Sequence, residues 1–410
     1  MSRRRLLFVS PRFLFPADSG GLIRTTQVLR GMQGGEFEIT LVSPGSSRLA
    51  STHAADLASV SDRWEYWEIA TQGKLFAVTR MRHMFSSEPI PVASDHSEAG
   101  AALVATELAK QPDVVVFDFP HCAVLAPDRI DVPSVIFTHN VEAEIFRRHI
   151  DVAWNPVLRK LWQSQTRKME KFEGCTLARF DAVVAVADRD ARAFTDHYGI
   201  GGARVISTGV DLEFFRYRPP AREGCALFLG SMDWLANIDA MNWLMDEIWP
   251  LISASKPDAR MKIVGRNPPD ALVKRARSRS LNWEFTGFVE DVRDHVEDVA
   301  AFIIPLRVGG GTRIKVYEAI AMGMPVVSTS IGVEGLPLSE NEHYLCADDA
   351  ESFAKQTLDV MADGELGREL SATANAFVRE NFSSVRAARE FEQICLDVLE
   401  SGAGQDGRVG

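Results

Sequence analysis

The chain has 410 residues, of which 46% are hydrophobic and 25% charged, values typical of a globular protein with room for two domains. A net charge of −11 argues against nucleic acid as a partner, because no basic surplus is available to bind its phosphates. The N-terminal apolar run is too short for a signal peptide, and no segment approaches the roughly 20 apolar residues of a membrane span. Together with scattered, unpaired cysteines, these features predict a cytoplasmic protein.

Short apolar strands alternate with longer amphipathic segments along the whole chain. The strands predicted in the first half are 6–10, 37–42, 114–119, 134–138, 182–187 and 203–206. Those predicted in the second half are 226–229, 260–264, 283–286, 301–304 and 325–328. Near-continuous apolar strands joined by helices are typical of parallel sheets covered on both faces, so we predict an α/β protein.

A polar stretch rich in proline and arginine, 216–224, separates the two series of strands and is the predicted linker. We therefore predict two doubly wound, Rossmann-like domains, at 1–215 and 225–385, facing a central cleft where a ligand binds at the carboxyl ends of the strands. A C-terminal helix at 386–400 is expected to pack back towards the N-terminal domain. A flexible tail is expected at 401–410.

Glycines and histidines follow predicted strands in the first half. Gly20 and Gly21 come between the first strand and an amphipathic helix beginning at Leu22, where the backbone can approach a ligand closely, although a plain loop explains the pair equally well. His139 and His121 each follow a buried strand and face the expected cleft. Lone histidines are more often structural than catalytic, so position alone leaves both roles open.

Two further features of the first half have a functional and a simpler interpretation. Asp188-Arg189-Asp190 resembles an Asp-x-Asp metal site, but it also begins a helix, where an aspartate N-cap is the ordinary interpretation, and we predict no metal. Residues 145–173 carry seven basic and three acidic side chains with Trp154 and Trp162 interleaved. This composition is compatible with a membrane-surface patch or with a solvated helix face.

The most informative segment is 305–329. An apolar strand ends in three glycines, 309–311, and a helix follows, so free N–H groups and the positive end of the helix dipole suit an anion such as a phosphate. Arg313 and Lys315 add positive charge there, and Glu318 lies one turn further along. The spacing matches neither a Walker A loop nor a dinucleotide fingerprint, so the segment alone leaves the anionic ligand unidentified.

These motifs together resemble glycosyltransferase family 4, retaining enzymes of the two-domain GT-B fold, over nearly the whole chain. The matching segments are 12–24, 138–143, 208–215, 227–234, 262–266, 286–291 and, most specifically, 305–335. The resemblance implies a metal-independent transferase that uses a UDP- or GDP-linked sugar. The implied acceptor is a surface-polysaccharide intermediate, a lipid-linked glycan or a small metabolite, and peripheral contact with the inner membrane face through 145–173 is an open possibility.

The resemblance also implies roles for individual residues. Glu318 is expected to hold the ribose hydroxyls of the nucleotide, and Val289 to meet its base. His139 is expected to position or polarise the transferred sugar. The residues expected to hold the diphosphate through backbone N–H groups or close backbone approach are Gly310, Gly311, Thr312, Gly20 and Gly21.

The chain departs from the family pattern in two places. Gly310, or Gly309 if the loop holds one extra residue, occupies the position where many members have a glutamate that contacts the donor sugar. Ser231 to Trp234 stand where many members have an Arg and a Lys, so Arg313, Lys315 and Arg266 are the expected substitutes that neutralise the leaving diphosphate. The alternatives to a transferase are an epimerase or hydrolase of the same fold, or a non-catalytic nucleotide-sugar-binding protein.

Overall fold

The computed structural model divides the chain into two compact units. The residues it describes are 3–17, 19–68, 86–152, 155–206, 209–221, 224–308, 314–362 and 364–406. The first unit comprises Met1–Thr208 and Ser384–Gly410, and the second comprises Gly209–Ser383. The change of unit therefore falls before the predicted linker at 216–224. Val210 explains the difference, because it is buried in the second unit's core and its N–H donates to the carbonyl of Phe382 (2.7 Å).

The first unit is built on an all-parallel sheet. Its strands are β1 (Arg4–Val9), β2 (Phe37–Gly45), β3 (Arg63–Glu68), β4 (Val114–Asp118), β5 (Ser134–Phe137), β6 (Ala182–Ala185) and β7 (Arg204–Val205). They lie in the order β3-β2-β1-β4-β5-β6-β7. The helices between them are α1 (Gly20–Met32), α2 (Ser47–Thr52), α3 (Ala54–Ala58), α4 (Ile90–Asp95), α5 (Glu98–Leu108), α6 (Glu142–Val152), α7 (Pro156–Leu177) and α8 (Asp188–Tyr198).

Both faces of this sheet are covered, which explains the uninterrupted apolar strands. In β1, Leu6 and Phe8 pack in the same cluster as the apolar residues of α1. Leu7 and Val9 point to the opposite face, into a cluster that includes Phe194 of α8. Because successive side chains of a strand alternate between faces, a strand buried on both sides must be apolar throughout.

The second unit contains another parallel sheet. Its strands are β8 (Cys225–Leu229), β9 (Met261–Val264), β10 (Trp283–Gly287), β11 (Val299–Ile304), β12 (Val326–Ser328) and β13 (Leu345–Cys346), in the order β10-β9-β8-β11-β12-β13. Its helices are α9 (Leu235–Trp243), α10 (Trp249–Ser255), α11 (Asp270–Ser278), α12 (Ile314–Ala321), α13 (Ala350–Ala362) and α14 (Gly364–Asn381). The predicted α/β class with two parallel sheets is thus confirmed, and β3 and β13 are strands that the sequence did not predict.

The last helix, α15 (Ser384–Asp406), belongs to the first unit. It packs against α1 so closely that a Cβ atom at Gly31 would clash with Ala388. The ring of Phe391 lies 4.9 Å from that of Phe137 in β5, measured between centroids. The helix continues to Asp406 and so includes part of the tail predicted at 401–410.

Candidate functional site

The carboxyl ends of the second unit's strands gather several predicted binding residues. Arg266 follows β9, Val289 follows β10, and Lys315 and Glu318 lie in α12, which comes after β11. Because these strands are parallel and adjacent, their carboxyl ends open on one edge of the sheet, the usual ligand edge of such folds. The predicted phosphate-binding residues Gly310, Gly311, Thr312 and Arg313 lie outside the described residues.

Glu318 is a buried carboxylate at this edge, with only 9% of its surface exposed. Burial raises its pKa to about 7, an effect that the nearby Lys315 amine opposes. Among the residues that the structure describes, none donates a hydrogen bond to this carboxylate or forms an ion pair with it. A desolvated carboxylate without donors is energetically costly, which is the condition that a ligand with hydroxyl donors relieves.

Lys315 extends from α12 to the end of β8. Its Nζ donates to the carbonyl of Leu229 (2.8 Å) and lies 5.0 Å from the ring centroid of Phe228. Gly230 leaves room for the amine, because a Cβ atom there would stand 3.0 Å from Nζ. A positive charge therefore lies at the end of β8, where this chain lacks the Arg and Lys that many family members carry in the following loop.

Arg266 is engaged within the second unit. Its Nε donates to Oδ2 of Asp233 (2.9 Å), while the side-chain amide of Asn267 donates to Oδ1 (2.8 Å). Hydrogen bonds from Asn267 and Ser231, and then from Arg266, hold the pKa of Asp233 below its usual value. Asp233, one of the residues at 231–234 that depart from the family pattern, is thus the acidic partner of Arg266. Because the charge of Arg266 is already paired, Lys315 is the stronger candidate for neutralising a diphosphate.

Val289, the expected contact of the base, is half-buried against the core of the second unit. Its neighbour Phe288 has 69% of its surface exposed. Gly287, at the end of β10, has a φ of 73°, a conformation that favours glycine. The chain therefore turns sharply where β10 ends and presents an exposed aromatic ring beside Val289.

In the first unit His139 follows β5 and is 2% exposed. Its Nε2 lies 2.6 Å from Oδ1 of Asp118, the last residue of β4, and its Nδ1 lies 3.1 Å from Nη1 of Arg24 in α1. The ring is packed against Phe119 and Phe137, with centroid distances of 4.0 and 4.4 Å. Burial lowers the pKa of His139, although the Asp118 carboxylate opposes this effect.

Asp118 and Arg24 are site residues that the sequence did not identify. Both are buried, at 0% and 3% exposure, and Oδ2 of Asp118 also accepts a hydrogen bond from the hydroxyl of Thr25 (3.0 Å). The sequence held one signal for Asp118. It is a polar residue at the carboxyl end of a buried strand, and His139 has the same kind of position after β5. No signal pointed to the burial of Arg24, because a charged residue in an amphipathic helix is normally exposed.

Gly20 and Gly21 are the first residues of α1, which begins before the predicted start at Leu22. A Cβ atom at Gly21 would clash with the ring of Phe119, so this position requires glycine for packing. Phe119 has a φ of 66°, an uncommon conformation for a bulky residue, and it directly follows Asp118 at the end of β4. Gly21 therefore lets α1 approach the aromatic ring that covers His139.

His121 lies in a short 3-10 helix, Pro120–Leu125, and its ring centroid is 5.1 Å from that of Phe119. Burial, and then the positive charge of Arg12, lower its pKa to about 3. Its Nε2 is 3.5 Å from Oδ2 of Asp95. His121 is therefore a neutral, buried ring whose contacts lie within the first unit.

The aspartates of the Asp188-Arg189-Asp190 sequence are not N-caps. Ala187 holds the N-cap position of α8 with an extended backbone (φ −154°, ψ 148°), so both aspartates lie in the first turn of the helix. Asp190 is buried and its Oδ1 lies 3.6 Å from Nη1 of Arg189. Aspartates in a first helical turn are stabilised by the helix dipole, which is a sufficient reason for their presence.

Family models match both units of the chain. Residues 19–214 match the model described as Glycosyltransferase Family 4, and residues 224–363 match Glycosyl transferases group 1. Two parallel α/β units, each with candidate ligand residues at the carboxyl edge of its sheet, are typical of the GT-B class of fold. The chain belongs to glycosyltransferase family 4.

Similar proteins support the same assignment. An uncharacterized 44.6 kDa protein in the cps region of Klebsiella pneumoniae is 27% identical over 177 residues, 42% of this chain and 46% of that protein, so the match spans less than half of the relative's length. The phosphatidyl-myo-inositol mannosyltransferase of Mycolicibacterium smegmatis is 26% identical over 272 residues, 62% of this chain and 68% of the relative. The Anabaena protein Alr3699/HepE, solved with UDP and glucose, shares the fold with a TM-score of 0.68 and 13% identity, over 96% of this chain and 99% of that one.

Proposed function

We propose that the protein is a retaining glycosyltransferase that moves a sugar from a UDP- or GDP-linked donor to a hydroxyl acceptor without a metal ion. The observation that carries the proposal is the buried carboxylate of Glu318, which has no donor among the described residues. A ribose offers two neighbouring hydroxyl groups, which match the two oxygens of a carboxylate. Binding of the nucleotide would therefore offset the cost of burying Glu318.

The leaving diphosphate is the group whose charge must be stabilised in the transition state. In this proposal Lys315 supplies that charge at the end of β8, together with Arg313 and the N–H groups of 310–312 that the sequence indicates. A fixed cation in a site sheltered from water stabilises developing negative charge more than water does. His139 then has a positioning role, since both of its nitrogens already have partners.

Two of the relatives favour a glycan or lipid acceptor. One is encoded in a cps region, and another is named as a phosphatidyl-myo-inositol mannosyltransferase. We infer that the acceptor of this chain is a surface-polysaccharide intermediate or a lipid-linked glycan, with a small metabolite as the alternative, because a third relative is named as an N-acetyl-alpha-D-glucosaminyl L-malate synthase.

A thermal-shift panel of UDP, GDP, ADP and dTDP, each with magnesium or with EDTA, tests the donor proposal. We expect one nucleotide family to raise the melting temperature equally in magnesium and EDTA, since a ligand at a hundred times its dissociation constant adds about 2.7 kcal/mol of stability. NMR of the product should then show a retained anomeric configuration. No shift with any nucleotide would favour a non-catalytic protein, and donor consumption without acceptor would favour a hydrolase or epimerase. Activity lost in EDTA and restored by magnesium would contradict metal independence.

The exposed face of α7 supports peripheral membrane contact. Lys160, Arg167 and Lys171 are exposed along one face of this helix, and none of them has an ion-pair partner among the described residues. Val157, with 76% of its surface exposed, lies at the N-terminal end of the same face. The tryptophan on this helix turns inward, as Trp162 stacks on His149 at 4.5 Å, whereas Trp154 lies outside the described residues. None of the described helices has both the length and the apolarity of a membrane span.

We expect the protein to sediment with vesicles containing phosphatidylglycerol but not with vesicles of phosphatidylcholine alone. Each basic residue near an anionic surface contributes roughly 1 kcal/mol, so the triple variant Lys160→Glu, Arg167→Glu, Lys171→Glu should lose this binding. A matched control, Lys274→Glu, Arg277→Glu, Arg379→Glu, changes three exposed residues of the second unit by the same charge and should still bind. Equal loss in both variants would show an effect of net charge alone and would rule out a patch on α7.

A further inference from the structure

We propose that Asp118 and Arg24 are positioning residues that hold His139 as a neutral ring with its hydrogen on Nε2. The three side chains form a clamp, here called the Asp118–His139–Arg24 clamp, in which the imidazole bridges a carboxylate and a guanidinium. The role of this clamp in sugar transfer rests on the proposed function. The state of the ring itself does not, because it can be measured without donor or acceptor.

The chemistry of arginine determines which nitrogen of the ring carries the hydrogen. A guanidinium has only N–H donors and no acceptor. The 3.1 Å contact between Nη1 of Arg24 and Nδ1 of His139 therefore requires a lone pair on Nδ1. A neutral imidazole without hydrogen on Nδ1 carries it on Nε2, and Nε2 lies 2.6 Å from Oδ1 of Asp118, which is an acceptor.

The carboxylate that receives this hydrogen is itself fixed in place. The other oxygen of Asp118 accepts from the hydroxyl of Thr25 at 3.0 Å, and the hydroxyl of Ser10 lies 3.4 Å from the same oxygen. Asp118 is buried completely at the end of β4, and Thr25 follows Arg24 in α1. Two neighbouring residues of α1 thus hold the clamp: Arg24 contacts His139, and Thr25 contacts Asp118. The orientation of the His139 ring therefore depends on the position of this helix.

Burial and the guanidinium of Arg24 oppose protonation of the ring, whereas the carboxylate of Asp118 favours it. The charged and titratable groups facing it are Asp118 from β4, Arg24 from α1 and His121 from the turn after β4. A second hydrogen would have to sit on Nδ1 and point at the guanidinium of Arg24, so the two cations would repel each other. Phe119 and Phe137 pack against the ring, and its side chain is 1% exposed, so solvent cannot screen that repulsion.

The clamp excludes His139 as a proton donor or acceptor in sugar transfer, because both nitrogens are already engaged. His139 instead links the negative charge of Asp118 to the orientation of the Arg24 side chain. Asp118 and Arg24 are therefore positioning residues. Replacing either of them should change the protonation state or the tautomer of the His139 ring in a protein that still folds.

Long-range proton–nitrogen NMR of the full chain with labelled histidine tests the clamp directly, with His139→Gln identifying the signal. We expect His139 to have hydrogen on Nε2 only and to keep that state from pH 8 to pH 5.5. Hydrogen on Nδ1, or protonation of His139 above pH 6, would overturn the proposal.

Variants of Arg24 and Asp118 distinguish a role in setting the protonation state of His139 from a role in folding alone. In Arg24→Met the repulsion is removed while Asp118 remains, so His139 should now titrate between pH 5.5 and pH 8. Arg24→Lys keeps a donor and should restore the wild-type state. If Arg24→Met left the ring untitrated in a folded protein, as judged by its melting temperature, burial alone would explain the neutral ring and Arg24 would have no part in it. Asp118→Asn, whose amide can present either a donor or an acceptor, should yield a mixture of the two neutral forms.

Discussion

Replacing Glu318 by glutamine is expected to weaken nucleotide binding about tenfold to a hundredfold, because hydrogen bonds to a charged group contribute roughly 1.5–3 kcal/mol. The carboxylate is buried and without donors among the described residues, so it depends on the ligand for hydrogen bonds. Glutamine has nearly the same shape, and the fold should therefore persist. Calorimetric titration with the nucleotide identified in the thermal-shift panel measures the change.

A nucleotide lacking the ribose hydroxyls is the matched ligand control. The 2′,3′-dideoxy form should bind wild type and Glu318→Gln with equal affinity, since the contacts removed by the mutation are already absent from the ligand. If the mutation weakened the dideoxy form as much as the normal nucleotide, Glu318 would not contact the ribose.

The raised pKa of Glu318 adds a dependence on pH to the same experiment. With a pKa of about 7 in the free protein, the carboxylate becomes ionised as pH rises through 7, and only the ionised form accepts the full pair of strong hydrogen bonds. Nucleotide affinity in wild type should therefore rise between pH 6 and pH 8, relative to Glu318→Gln, which corrects for ionisation of the diphosphate. The free energy of unfolding without ligand changes in the opposite direction, because the contribution of a group with a raised pKa is lost as pH rises through that pKa.

Replacing Lys315 by methionine should lower kcat/KM by roughly a hundredfold to a thousandfold, the usual effect of removing one group that stabilises developing negative charge. Its amine lies at the end of β8, beside Gly230, where no residue in the following loop replaces it as a cation. Lys315→Arg keeps the charge and should retain part of the activity. Initial rates at saturating acceptor, over a range of donor concentrations, give the comparison.

Lys355→Met is a suitable control, since this lysine is exposed on α13 and pairs with Asp359 on the same helix (3.1 Å). It should leave turnover unchanged. Because the charge of Lys315 also opposes the rise of the Glu318 pKa, Lys315→Met should move the rise in nucleotide affinity to higher pH. Wild-type turnover in a folded Lys315→Met protein would remove this residue from the mechanism.

The sequence predicted the central strands and the edge strands β7 and β10, and it missed the edge strands β3 and β13. β3, Arg63–Glu68, alternates charged and aromatic residues and lies at the edge of its sheet, so it lacks the continuous apolar run by which the others were recognised. β13, Leu345–Cys346, has only two residues and is also an edge strand. Edge strands are partly exposed, and their composition therefore resembles that of loops and helices.

Candidate residues were found where a motif marks a position in the chain, and missed where only three-dimensional contact defines the role. Glu318 and Lys315 stand at fixed offsets from a glycine run, which the sequence displays directly. The pairing of Asp118 and Arg24 with His139 joins residues far apart in the chain. No local sequence pattern predicts contacts between residues so far apart. The absence of a hydrogen-bond donor to Glu318 among the described residues is likewise a consequence of the fold.

The placement of α15 reverses the order in which the two units can be completed during synthesis. The first unit contains the earliest strands, yet its apolar layer includes Ala388, Phe391 and Cys395 of the last helix. The second unit has its whole sequence available by Ser383. A nascent chain therefore carries an unfinished N-terminal unit, with the apolar surface around Leu29 and Met32 uncovered, until α15 has been synthesised. Such surface promotes aggregation, so this protein should depend on chaperones that bind the nascent chain early.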